Sequence, residues 1–169
     1  MNVIANTTII SNFASVGRLD ILRDLLGELY ITTEVYAEIQ DGLAEGYDFY
    51  VGIESHLNPL SPGGWLYMTS LRDEEELRLF SNMPAALHRG EASCLAVAVR
   101  RGMAFLSDDA RARAAARHLQ VPVSGTLGVL VSAINQRLLT LEAADLLLNQ
   151  MVQAGFHSPY GTLAELLTD

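Results

Sequence analysis

The stretch Leu87–Arg117, LHRGEASCLAVAVRRGMAFLSDDARARAAAR, constrains the fold more than any other. Glu91 to Arg101 is apolar on every side apart from its ends, a pattern that marks a helix buried all round. Gly102 closes it as a C-cap, Met103 to Leu106 makes a short strand, and Asp109 to Leu119 returns to helix with arginines along it. Helix, strand and helix in this order form the unit of an α/β fold. The unit sets Glu91 in a first helical turn and Asp108 and Asp109 in the turn after the strand, so their carboxylates lie toward a common edge.

The rest of the chain continues the alternation. Asn2 to Ala5 is a first strand that delivers Asn6 to its C-terminal end, and Asn6-Thr7-Thr8 caps a helix from Ile9 to Ala14. Gly17 breaks that helix, leucines 19, 22, 25 and 26 recur at helical spacing, and Leu29 to Ile31 gives a second strand. Thr32 and Thr33 cap a helix through about Gln40, with Val35, Ile39 and Leu43 on one face and Glu34, Glu38, Asp41 and Glu45 on another. Tyr47 to Leu57 is compatible with a further helix, Asn58 to Gly64 is loop, and Trp65 to Thr69 is a strand. The acids Asp73 to Glu76 head a helix, where the macrodipole favours them. Val121 to Val123 is the last strand, and Ser124-Gly125-Thr126 turns into a helix from Leu127 to about Asn135. Thr140 caps a helix ended by Gly155, and Ser158-Pro159 opens a final helix to Leu167. Short apolar strands between helices predict parallel βαβ units with right-handed crossovers, hence an α/β fold with a mainly parallel sheet of about five strands covered on both faces. A single domain over 1–169 fits this length. In such sheets the ligand crevice lies beyond the carboxyl ends of the strands, where Asn6, Asp108, Asp109 and Thr126 fall.

A net charge of −9 argues against nonspecific coating of nucleic acid, which depends on phosphate neutralisation. All 11 basic residues are arginines, however, and six of them lie between Arg89 and Arg117 against three acids, leaving that segment at +3 and the rest at −12. Arg89, Arg111, Arg113 and Arg117 are the candidates for holding a phosphate backbone, a task that suits arginine's planar fork; the plainer reading is a solvated helix face. Cys94 is the only cysteine, which excludes a disulfide framework and a cysteine zinc site. His56, His88, His118 and His157 lie in separate segments without metal-ligand spacing. No apolar run approaches the roughly 20 residues of a membrane span, and the first residues lack a basic signal region. The expectation is a cytoplasmic protein without membrane contact.

Capping explains part of the acidic turn, because one side chain of Ser107-Asp108-Asp109 suffices to cap the following helix. Glu91, at the rim of a buried helix, needs a partner, either an arginine or a metal ion. Clustered carboxylates without histidine or cysteine are hard oxygen ligands of the kind that hold Mg²⁺ or Mn²⁺. Beside a phosphodiester such an ion promotes hydrolysis. Other phosphate chemistries lack their motifs: there is no G-x-x-x-x-G-K-[ST] loop, no G-x-G-x-x-G after the first strand, and no GxSxG nucleophile turn.

With these residues in place, the sequence resembles the PIN-like domain superfamily, which includes the VapC-type toxin ribonucleases. The resemblance is carried by VIANTTIISNFASVGRLDIL, ITTEVYAEI, LHRGEASCLAVAV, MAFLSDDARAR, VPVSGTLGVL and AGFHSPYGTLAELL, so it covers nearly the whole chain and favours the branch with a Gly-Thr-Leu-Gly turn. It implies a three-layer α/β/α sandwich and a Mg²⁺- or Mn²⁺-dependent ribonuclease. The family's positions transfer to Asn6, Glu38, Glu91 and Asp109, with Asp108 in reserve and the Thr7 and Thr126 hydroxyls nearby. In this reading Glu91 and Asp109 ligate metal, and Glu38 is a further ligand or a water-orienting base. The resemblance also implies RNA as substrate, a homodimer, and a small antitoxin partner if the protein is the toxin of a toxin–antitoxin pair. Asn6 departs from the pattern of active relatives, which have an acid there, although the branch that it resembles often has asparagine at this position. Losing a unit charge about 4 Å from a cation costs on the order of a few kcal/mol per cation charge at an effective dielectric near 20. The alternative function is therefore a catalytically impaired module that binds RNA or a protein partner without cleavage.

Overall fold

The computed structural model describes residues 1–167. Its strands are β1 (Val3–Ala5), β2 (Leu29–Thr32), β3 (Leu57–Asn58), β4 (Leu66–Thr69), β5 (Ala104–Leu106) and β6 (Val123–Ser124). They form one parallel sheet in the order β3-β4-β2-β1-β5-β6. Helices α1 (Thr7–Ser15) and α2 (Leu19–Leu26) join β1 to β2, and α3 (Thr33–Ala44) follows β2. Helices α4 (Glu74–Ser81) and α5 (Arg89–Arg101) lie between β4 and β5, α6 (Ala110–His118) lies between β5 and β6, and α7 (Thr126–Asn135) and α8 (Leu141–Gln153) come after the sheet. The result is a three-layer α/β/α fold.

β1 is central because its residues have no polar face to offer water: Ile4 and Ala5 are fully buried, and Ile4 pairs with Tyr30 on one side and Phe105 on the other. The chain builds outward from β1 to β2 and later returns to β5 on the opposite side. The strand order therefore reverses at β1, and a crevice opens beyond its carboxyl end, at Asn6. In α5 every residue from Gly90 to Ala98 is buried, as its unbroken apolar surface predicts, and Gly102 ends it in the left-handed region at φ 63°.

Three expectations need correction. Tyr47 to Leu57 is not one helix but two 3-10 turns, Asp48–Tyr50 and Ile53–His56, leading into β3, which becomes a sixth strand. Gly46 and Gly52 adopt φ 96° and 83°, and a left-handed residue between the turns interrupts any continuous helix. The final helix is only a 3-10 turn, Leu163–Leu166, because Asp145 of α8 accepts Thr162 Oγ1 and Leu163 N at 2.7 Å each and fixes the chain before helix can begin. The last strand sits later than expected, at Val123–Ser124, since Val121 N returns to Ala116 O at 2.8 Å and so finishes the α6 turn instead of joining the sheet. Among the described residues no helix is long and apolar enough to cross a membrane.

Candidate metal centre

Asn6 occupies the N-cap position of α1 with extended backbone, and its side chain makes no capping bond, so the amide reaches across the sheet. Its Nδ2 donates to Ser107 Oγ at 2.9 Å, and its Oδ1 accepts from Thr8 Oγ1 at 2.7 Å. Ser107 Oγ also accepts Asp109 N at 3.2 Å, while Thr8 Oγ1 accepts Asp108 N at 3.2 Å. Two hydroxyls thus lock the end of β1 to the turn after β5 and set the direction of both aspartates.

The carboxylates come from three further helices. Glu38 of α3 accepts Gly90 N on Oε1 at 2.9 Å and the Thr7 hydroxyl on Oε2. This approach requires glycine, since a Cβ at residue 90 would stand 2.6 Å from Glu38 Oε2. Glu91, 5% exposed, accepts His88 N on Oε2 at 3.0 Å. Asp109 caps α6 by accepting Ala112 N on Oδ1 at 2.8 Å. Glu91 and Asp109 therefore each commit one oxygen to a helix terminus and keep the other without a hydrogen bond to a described residue. No fully buried side-chain oxygen or nitrogen among the described residues lacks a partner, so Glu91 Oε1 and Asp109 Oδ2 reach solvent.

Asp108 is differently used. Its Oδ1 accepts Thr126 N at 2.8 Å, and its Oδ2 accepts Thr126 Oγ1 at 2.6 Å and Asn12 Nδ2 at 2.9 Å. It docks the start of α7 against α1, with Gly125 leaving it room: a Cβ there would lie 2.5 Å from Asp108 Oδ1. Thr126 is fully buried in this bond, as Thr7 is half-buried against Glu38.

Among the described residues no salt bridge reaches Glu38, Glu91, Asp108 or Asp109. Burial pushes the Glu91 carboxyl above its ordinary value of 4.5, the His88 N–H partly opposes this, and the nearby charges of Asp109 and Glu38 push it further up. The donor chemistry suits a hard divalent cation: carboxylate and amide oxygens with negative charge that no arginine neutralises. The side chains are not drawn together into a ready-made site, since among the described residues no three histidine, cysteine, aspartate or glutamate side chains converge closely enough.

The arginines divide. Arg113 and Arg117, four residues apart on one face of α6, line a cavity of about 640 Å³ together with Asp108, Phe156 and Tyr160. Arg111 is exposed and, two residues from Arg113, points the other way around the helix. Arg89 lies over the Phe80 ring, 5.7 Å from its centroid, and lines a second cavity of about 560 Å³ with Glu34, Glu38 and Asp41. Arg100 pairs with Glu75 at 2.9 Å, and Arg101 with buried Glu76 at 2.6 Å, so both are absorbed by α4. The sequence offers Thr8 and Ser107 only as helix-capping candidates and does not single out Asn12, whereas the structure sets all three among the site's hydrogen bonds. A signal was there for Thr8 and Asn12, since Thr8, Ser11, Asn12 and Ser15 form a polar stripe at helical spacing on an otherwise apolar α1.

A family model described as DUF3368, PIN domain, matches residues 2–169. Among solved structures, a PilT N-terminus domain protein from the hyperthermophilic archaeon Sulfolobus solfataricus P2 aligns with a TM-score of 0.49 at 11% sequence identity, over 95% of this chain and 98% of that one. No curated protein matches the chain.

Proposed function

Since the chain belongs to the PIN domain family, we propose that it is a divalent-metal-dependent ribonuclease that hydrolyses RNA phosphodiesters with Mg²⁺ or Mn²⁺. The observation that carries this reading is that Glu91 and Asp109 each keep a carboxylate oxygen without a hydrogen bond to a described residue. Glu38 is near enough for its charge to act on Glu91, and among the described residues none of the three is in a salt bridge. Glu91 and Asp109 each hold out one oxygen as ligand, and Asn6 Oδ1 is a neutral third, already accepting the Thr8 hydroxyl. A divalent cation there would lower the pKa of water and stabilise charge on the phosphoryl oxygens. Glu38, anchored on Gly90 N, stands on the side of α3 and serves as a further ligand or orients the attacking water and takes its proton. Arg113 and Arg117 bind the flanking phosphates.

The test is cleavage of single-stranded RNA with Mn²⁺ by the native protein, Asp109→Asn and Asn6→Asp. Cleavage should require the metal, vanish in Asp109→Asn and rise in Asn6→Asp. Equal cleavage by the native protein and Asp109→Asn would sink the assignment. As the toxin of a toxin–antitoxin pair, the native protein should also arrest growth of a host that expresses it, and Asp109→Asn should not.

A second reading, an RNA- or protein-binding module without cleavage, draws on two observations. Both ends of the Asn6 amide are engaged internally, and no acidic trio is gathered among the described residues. Calorimetric titration separates the two readings, because the binding module takes up no Mn²⁺ at millimolar concentration.

A further inference from the structure

The cavity of about 640 Å³ beside Asp108 has a chemistry of its own. Its volume lies within the roughly 300–1,000 Å³ of sites that enclose small ligands. One wall is α6, which contributes Arg113 and Arg117; among the described residues neither is within salt-bridge distance of a carboxylate. Arg113 is held in place by the bond from its Nη1 to Ser107 O at 3.1 Å. The segment after α8 also lines it, through Phe156 and Tyr160.

That aromatic wall is fixed at several points. Phe156 N donates to Met151 O at 2.9 Å, Tyr160 N donates to Ser158 Oγ at 3.1 Å, and Asp145 holds Thr162 and Leu163. The rings therefore sit on a pre-formed turn, which lowers the entropic cost of stacking a planar ligand on them. Guanidinium groups and aromatic residues lining one cavity, with Asp108 at its edge, match a nucleotide, which carries an anion at one end and a π-face at the other. The second cavity, with Glu34, Glu38 and Asp41, offers an anion no comparable welcome.

We propose that this cavity receives one unstacked nucleotide of a single-stranded RNA, with its phosphate on Arg113 and Arg117 and its base against Phe156 and Tyr160. The cavity thereby selects which neighbouring phosphodiester is presented to Glu91 and Asp109, a role that rests on the ribonuclease reading above. A duplex is rejected, because its paired and stacked bases cannot enter.

Fluorescence anisotropy with a labelled oligoribonucleotide, in chelator so that nothing is cut, tests the cavity apart from the chemistry. Tyr160→Ala and Arg117→Ala should each weaken binding about tenfold or more, and Tyr160→Phe should restore it. In an oligonucleotide long enough for a single register, one abasic position should weaken native binding similarly and cost Tyr160→Ala little more. The same sequence as a duplex should bind weakly. Native-like binding by Tyr160→Ala and Arg117→Ala, or equal binding of fully abasic and ordinary strands, overturns the proposal and leaves the cavity to a protein partner. Absence of RNA binding by the native protein overturns it as well. The two readings fail separately: binding that depends on Tyr160 without any Asp109-dependent cleavage removes the nuclease and keeps the pocket, whereas Asp109-dependent cleavage with Tyr160-independent binding does the reverse.

Discussion

At the C-terminal end of α5, Glu76 is 1% exposed and receives Arg101 Nε at 2.6 Å and Nη2 at 3.0 Å, with Arg72 N on Oε2 at 2.6 Å. At the N-terminal end of the same helix, Glu91 is 5% exposed and receives one backbone N–H. The Arg101 guanidinium holds the Glu76 carboxyl below its ordinary value of 4.5, whereas burial and two neighbouring acids hold Glu91 above it. One buried carboxylate is paired within the fold and ties α4 to α5; the other has no cationic partner in a salt bridge among the described residues, and its surroundings disfavour the charge. The helix thus separates a structural end from a chemical one by about 15 Å, at 1.5 Å per residue.

The largest effect that can break this comparison is on cleavage. Asp109→Asn and Glu91→Gln should lower metal-dependent RNA hydrolysis by on the order of 10²-fold or more, while Glu76→Gln leaves the rate per folded molecule unchanged. Both site variants keep an oxygen to accept Ala112 N or His88 N, so a circular dichroism spectrum like the native one is expected alongside.

Stability should reverse the ranking. Arg101→Met strands Glu76 in the core and should cost about 3–5 kcal/mol in urea unfolding. Glu91→Gln removes a carboxylate that already lacks a cationic partner among the described residues, and should change stability by less than about 1 kcal/mol. A large loss in Glu91→Gln would mean that Glu91 is structural.

The pH dependence gives opposite signs. Glu76 has a lowered folded pKa, so its stabilisation is present above 4.5 and is lost as pH falls through the folded value. Glu91 has a raised folded pKa, so its relative stabilisation is present below 4.5 and is lost as pH rises through the folded value. Unfolding curves of Glu76→Gln and Glu91→Gln, each subtracted from the native protein between about pH 3 and pH 7, should slope in opposite directions. Because Glu91 must give up its proton to ligate, Mn²⁺ should raise the melting temperature more at about pH 8 than at about pH 5. The rise should persist in Glu76→Gln and disappear in Glu91→Gln.

The smallest effects concern the glycines that bound the helix. Gly102→Ala places a Cβ at φ 63° and should cost about 1 kcal/mol without touching activity. Gly90→Ala displaces the Glu38 carboxylate by the contact described and should lower cleavage more than it lowers the urea midpoint.

Much of this was visible in the sequence. The buried helix and its glycine cap, the strand that delivers Asn6, and a cap from one of Ser107, Asp108 and Asp109 follow from local pattern, because each depends on neighbours within a few residues; that Asp109 is the one is a matter of the structure. The partition of the arginines was not visible. Arg101 counted toward a basic segment, but its charge belongs to Glu76, 25 residues away in sequence, and no local charge sum can see such a pair. The same holds for Asp108, whose acceptor role depends on Thr126 and Asn12 arriving from distant parts of the chain. Tyr47–Leu57 is compatible with a helix, but Gly46 before it and Gly52 within it take positive φ, and those backbone angles decide the segment.

The sheet ends at both sides in strands of two residues, β3 and β6. Pro59, directly after β3, has no N–H to extend the ladder. Such edges offer a passing strand almost nothing to pair with, which guards the protein against polymerising edge to edge while its parallel core forms slowly. Exposed apolar surface lies instead on helices, as at Leu146 and Val152 of α8, and a contact made there by the same patch on both copies would close on itself instead of growing into a fibre.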